Sequence, residues 1–224
     1  MANLVIQPSE ADSKDAWIAS AAYADMNFGD DYEGYAGVWV GFLFRSLFQF
    51  DLSPIPANAT VTSAILTLTR TFVAGDPSPH VLYRVVRDWT ESEVTWNSAK
   101  TGTPWAAAGC DDTTSDREAT GIGTFDTAAL VTVSLDVAKV QEWINGTFVN
   151  NGMVLVGTPV VGDHASTFAQ SGNADANKRP KLAITYTLPV SIGTDMTARG
   201  QMHGLGRAGM TARGPMYRLR EVGR

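Results

Sequence analysis

Six segments within the first 187 residues carry the two-residue period of a β-strand, and residues that favour turns separate them. Residues 60–69 (TVTSAILTLT) are β-branched and alternate; Val131, Val133 and Leu135 share one face of 130–135; Leu182, Ile184 and Tyr186 do the same in KLAITYT. Residues 45–51, 80–85 and 153–157 add three more, and clusters such as Ser53-Pro54-Ile55-Pro56-Ala57-Asn58 and Gly75-Asp76-Pro77-Ser78-Pro79 interrupt the pattern. Short strands that are apolar on one side must bury that side against another sheet or by closing on themselves, so the expected class is all-β, a sandwich or a barrel. One short helix is predicted over 137–144: Asp136 caps it, Val137, Val140 and Ile144 share a face, and Asn145-Gly146 stops it. It would plug an end of the β structure.

At 224 residues the chain can bury a core without covalent staples, and its single Cys110 cannot form an intrachain disulfide. The start, MANLVIQPSEADSKD, has no basic segment followed by a long apolar run, so no signal peptide is expected. No stretch approaches the roughly 20 apolar residues that span a bilayer, so no membrane partner is expected. Charge is unevenly spread. From residue 188 onward six Arg stand against Asp195 and Glu221, giving this end about +4 and leaving about −10 on the rest of a chain whose total is −6. An acidic body makes nucleic acid an unfavourable partner.

After Tyr186 the strand pattern ends, with Pro189 closing the last strand, which predicts a domain over 1–188 and an extended Gly/Arg/Met-rich tail over 189–224. MTARGQMHGLGRAG (196–209) is followed directly by MTARGPMYRLREVG (210–223), with eight identities in fourteen positions. Fourteen residues are too few for a domain, so repeated use of one contact is the expected physics. Arg199 and Arg213, with Met202, Leu205, Met216, Tyr217 and Leu219, would dock on another subunit or on a second copy of the chain.

Arg87-Asp88-Trp89-Thr90-Glu91-Ser92-Glu93-Val94-Thr95-Trp96-Asn97 resembles the WxExxVTW signature of DNRLRE domains. Further blocks follow the same family in order: Asn27-Phe28-Gly29, residues 45–52 before a proline turn, 64–68, 140–146 (VQEWING) and 179–186 (RPKLAITY). The resemblance covers nearly all of 1–187. It implies a jelly-roll β-sandwich related to carbohydrate-binding modules, with Trp89, Trp96 and Trp143 buried and a glycan-binding or scaffolding role without catalysis. A jelly roll carrying an assembly tail is also similar to bacteriophage virion parts. The leading expectation is therefore a non-catalytic structural protein of a phage-like virion, a capsid decoration or fibre-type protein, with other virion proteins or copies of itself as partners. The alternative is a carbohydrate-binding module at a bacterial cell surface or outside the cell, with polysaccharide as partner.

Several residues are candidates for chemistry. Trp17, Trp39 and Trp105 fall in loop-like, Gly- or Ala-flanked stretches and, with Tyr32 and Tyr35, are candidates for a platform on which a sugar's apolar face would stack. Asp88, Glu91 and Glu93 suggest the paired carboxylates of glycoside hydrolysis, but capping of turn amides is the favoured role, and no catalytic residue is expected. Asp30 and Asp31, and Asp111 and Asp112, offer oxygen ligands for a structural calcium ion without the spacing of a recognised loop. No other cofactor is expected: His80, His164 and His203 are scattered, and neither a GxSxG elbow nor a phosphate-cradling GxxxxGK occurs.

Overall fold

The computed structural model describes residues 1–9, 14–75, 78–126, 130–158 and 162–189. These belong to one compact unit, Met1–Pro189. The repeat in 196–223, and every tail residue singled out from the sequence, lies outside the described residues.

The described residues form thirteen strands and one α-helix: β1 (Ala2–Ile6), β2 (Lys14–Ala19), β3 (Glu33–Trp39), β4 (Phe42–Gln49), β5 (Thr60–Gly75), β6 (His80–Arg84), β7 (Ser98–Lys100), β8 (Thr103–Pro104), β9 (Gly123–Phe125), β10 (Leu130–Ser134), α1 (Val137–Asn145), β11 (Met153–Gly157), β12 (His164–Ala169) and β13 (Lys181–Thr187). Eleven of the strands make one antiparallel sheet in the order β1-β13-β5-β12-β3-β4-β11-β6-β9, with β10 added to β5 and β2 to β4. The sheet curls until its two halves face one another. Val61, Leu66, Leu68, Val131, Val133, Leu182 and Ile184 from one half then meet Phe48, Leu82, Met153 and Leu155 from the other in a single core. This is the predicted all-β sandwich of jelly-roll type with one short helix.

Strand β5 makes the curl, because its sixteen residues have different neighbours along their length. Thr60–Thr67 pair with β13, Ile65–Thr69 with β10, and Arg70–Gly75 with β12. Helix α1 closes one end as expected. Asp136 accepts hydrogen bonds from the Ala138 and Lys139 amides, Gly146 terminates it in the left-handed region at φ 76°, and Val140, Trp143 and Ile144 enter the core. Gln141 ties it to β5, accepting from the Val61 amide at 2.8 Å and donating to the Ala59 carbonyl at 3.0 Å.

A second apolar layer covers the outer face of β2, β4 and β11. Ala16, Ile18, Leu47 and Val154 are packed there against Trp89, Val94, Trp96, Ala99, Trp105 and Cys110 from the long excursion after β6. Asp116, wholly buried, organises that excursion: its carboxylate accepts from the Ala106 and Ala107 amides at 2.9 Å each, from the Asp112 amide, and from Arg87 Nε at 2.8 Å. Trp89, Trp96 and Trp143 are buried, as the family resemblance implies.

Candidate functional site

At the end of the sandwich where β2, β3 and β4 meet, aromatic rings form a closed circuit. Trp17 lies flat on Phe28 with centroids 3.7 Å apart and an interplanar angle of 12°. Phe28 is 6.4 Å from Tyr23, Tyr23 is 5.3 Å from Phe42, Phe42 is 6.4 Å from Phe44, Phe44 is 5.6 Å from Tyr35, and Tyr35 returns to Trp17 at 4.9 Å. Strand pairing makes the circuit: Phe44 stands opposite both Ala19 and Gly37, and Trp39 stands opposite Phe42. Gly37 sits at φ +121°, where a β-carbon would collide with the His164 carbonyl oxygen, and β3 changes partner from β12 to β4 at this residue.

The inner members of the circuit are structural. Trp17 and Phe44 are each 8% exposed, and the Trp17 indole N–H is spent on Asp31 Oδ2 at 2.7 Å. Two further rings, outside the circuit, face solvent. Trp39 is 40% exposed and lies 6.4 Å from Phe72, which is 52% exposed, with the ring planes at 52°. Tyr23, Val40 and Leu43 extend the exposed apolar surface, and Tyr32 is 63% exposed. Burial, and after it the carboxylates of Glu33 and Asp31, raise the Tyr35 phenol above its ordinary value, so it stays protonated well into the alkaline range. An aromatic surface bordered by carboxylates suits a ligand that is apolar on its C–H faces and rich in hydroxyl donors at its edges.

Two of the five predicted platform residues are misplaced by the sequence reading. Trp17 belongs to β2, which is buried on both faces, so it supports the surface from beneath. Trp105, 4% exposed, is on the opposite layer: it follows β8, its indole donates to the Thr95 carbonyl at 3.0 Å, and it fills the core beneath the excursion after β6. Phe72, Phe42 and Tyr23 were not anticipated. Phe72 stands opposite Thr167, which stands opposite Tyr35, a placement that depends on the pairing of β5, β12 and β3.

The acidic candidates have structural partners. Residues 91–93 form a turn rather than a strand. Glu91 accepts from the Asp15 amide at 2.8 Å, Glu93 accepts from the Thr101 amide at 3.1 Å, and Asp88 pairs with Lys100 at 2.8 Å and Lys14 at 3.7 Å. Asp111 pairs with Arg117 and Arg45, and Asp112 accepts from Thr114 and Ser115, whose hydrogen bonds hold its carboxyl far below the usual range. Asp31 receives the Trp17 indole, and Asp30 lines a hollow beside Asp88 and Glu91. Among the described residues no three His, Cys, Asp or Glu side chains gather as metal ligands would. Cys110 is buried, and desolvation pushes its thiol far up, which leaves it inert.

The fold is that of a carbohydrate-binding-module family. The chain belongs to carbohydrate-binding module family 96, whose family model matches residues 7–186. Comparison with curated proteins finds no match. Modules of this kind are generally non-catalytic and are often extracellular or surface-associated. No helix among the described residues is long and apolar enough to cross a membrane.

Proposed function

We propose that the protein is a non-catalytic, DNRLRE-type carbohydrate-binding module that holds a polysaccharide chain against the exposed rings of Trp39 and Phe72. Tyr32, Tyr35 and the carboxylates around them meet the sugar hydroxyls. The observation that carries this reading is the Trp39–Phe72 pair: two large rings, each about half exposed, that lie 6.4 Å apart. The virion reading finds no support in the family match, which favours its alternative, placement outside the cell or at its surface.

The test is binding to insoluble and soluble polysaccharides, by pull-down and affinity electrophoresis, with the full chain. Trp39→Ala and Phe72→Ala are expected to weaken binding about tenfold each, from the loss of stacking area. Trp105→Phe should leave affinity unchanged. Equal retention of wild type and both platform variants would reject this surface as the binding site.

A further inference from the structure

The β3–β4 hairpin carries Trp39 to its tip and turns back in two residues, Val40 and Gly41, because Trp39 stands opposite Phe42. Both turn residues have positive φ, 50° at Val40 and 79° at Gly41, the backbone of a type I′ turn. Such a turn favours Asn-Gly, Asp-Gly or Gly-Gly, and a β-branched side chain is strained at its first position. Among the described residues two other non-glycine residues have positive φ, Ala21 and Cys110, and neither is β-branched. Val40 therefore sits where backbone preference argues most strongly against it.

Burial does not offset that strain. Val40 is 67% exposed, more than Trp39, Leu43, Phe72 or Val73, and a β-carbon on the next residue, Gly41, would meet nothing within 4 Å. The turn is instead held from outside. The Val40 amide donates to Asp163 Oδ1 at 2.8 Å, and the residue after Asp163, His164, stands opposite Gly75, three positions beyond Phe72 in β5. A β-carbon on Gly75 would collide with the Asp163 carbonyl oxygen, so the two segments are in close contact. Asp163 thus joins the turn that carries Trp39 and Val40 to the strand that carries Phe72. A strained residue that is exposed, held in place and adjacent to a binding surface points to a contact with something outside the chain.

We propose that Val40 is a ligand-contacting residue of the saccharide platform, packing its isopropyl group beside the Trp39 ring against the C–H face of a sugar unit, and that Asp163 is the positioning residue that holds the turn for this contact. The proposal rests on the reading of the protein as a carbohydrate-binding module with its platform at Trp39 and Phe72. Its consequence is that stability and affinity oppose one another at position 40. Residues that suit the turn stabilise the fold and weaken binding.

The test measures affinity and melting temperature side by side on the full chain. Affinity electrophoresis in soluble galactomannan, xylan, mixed-linkage glucan, pectate and alginate selects the polysaccharide that most retards the wild type, and titration of that polysaccharide gives a dissociation constant for each variant. Val40→Asn, whose side chain tolerates the left-handed region, is expected to raise the melting temperature by about 2–4 °C and to weaken binding about fivefold. Val40→Thr keeps the branching, so its melting temperature should stay, while exchange of one methyl for a hydroxyl weakens binding about threefold. Asp163→Ala should weaken binding in the wild type and have no further effect on it in the Val40→Asn variant, a coupling that a general loss of stability would not produce. Wild-type affinity in Val40→Asn and Val40→Thr, with Trp39→Ala weakened, would overturn the proposal and leave the platform standing. A lower melting temperature for Val40→Asn would also overturn it, by removing the strain on which it is built. Absence of retardation in every polysaccharide, or full retention by Trp39→Ala, would reject the platform and this proposal with it.

Discussion

Asp116 shows how much of this module depends on single polar side chains. The carboxylate is sealed from solvent and serves three amides and one guanidinium, holding together a long excursion that has little regular structure of its own. Asp116→Ala strips all of these partners at once and is expected to cost about 2–4 kcal/mol, read as a lowered denaturant midpoint. Gly29 has an equally specific role. Asn27 donates to the Glu91 and Val94 carbonyls, and a β-carbon at Gly29 would collide with the Glu91 carbonyl oxygen. The Asn-Phe-Gly block and the Trp-rich signature are thus two halves of one contact, and Gly29→Ala should lower the melting temperature by several degrees. His80 sets a pH limit. Its ring is wholly buried, stacked on Phe125 and bonded to the Ser78 carbonyl, and desolvation lowers its pKa below the ordinary value near 6.5. The unfolded chain therefore takes up a proton that the folded one refuses. Stability is fully present above about pH 6.5 and declines as the pH falls through that value toward the folded pKa. Thermal melts between pH 7.5 and 5 should show the decline, and His80→Gln should flatten it even if the variant is less stable at every pH.

At the level of elements, what was legible depended on whether burial fell on one face or two. Strands β5, β10 and β13 bury one side, so Leu66, Leu68, Val131, Val133, Leu182 and Ile184 show the two-residue period directly. Helix α1 was equally plain, because its cap and its stop are local signals; Asp136→Ala should cost about 1 kcal/mol through the two freed amides. The segment read as 45–51 is a strand that begins at Phe42 and ends at Gln49. Strands β2 and β12 were missed. KDAWIA and HASTFA are buried on both faces among small and polar residues, which leaves no alternation to read. Strand β3 was missed because Gly34 and Gly37 look like loop residues, whereas here they allow close strand approach. The same gap explains the platform. Trp39, Tyr32 and Tyr35 were candidates because they cluster in sequence, whereas Phe72 lies beside Trp39 only through the pairing of strands that sequence alone did not reveal.

For the molecule as a whole, the strongest expectation concerns the relation between the module and the duplicated segment. If Arg199 and Arg213 serve assembly, the full chain should be a closed oligomer by light scattering and a 1–188 truncation a monomer, while both bind polysaccharide with the same intrinsic affinity. Arg199→Ala with Arg213→Ala should reproduce the truncation. Mass equal in all three would overturn self-assembly through the repeat and leave either a different protein partner or an idle tail. Within the body, β1 and β13 run antiparallel with Ala2 directly opposite Tyr186. Both ends of the folded unit therefore leave it at the same place, the arrangement that lets a domain be inserted into a loop of another protein. It also decides how the module yields to force. A pull on the two ends would load one hydrogen-bonded pair at a time, starting at Ala2 and Tyr186 and peeling β1 away toward Ile6 and Leu182. Such a module gives way as a zipper does, at low tension.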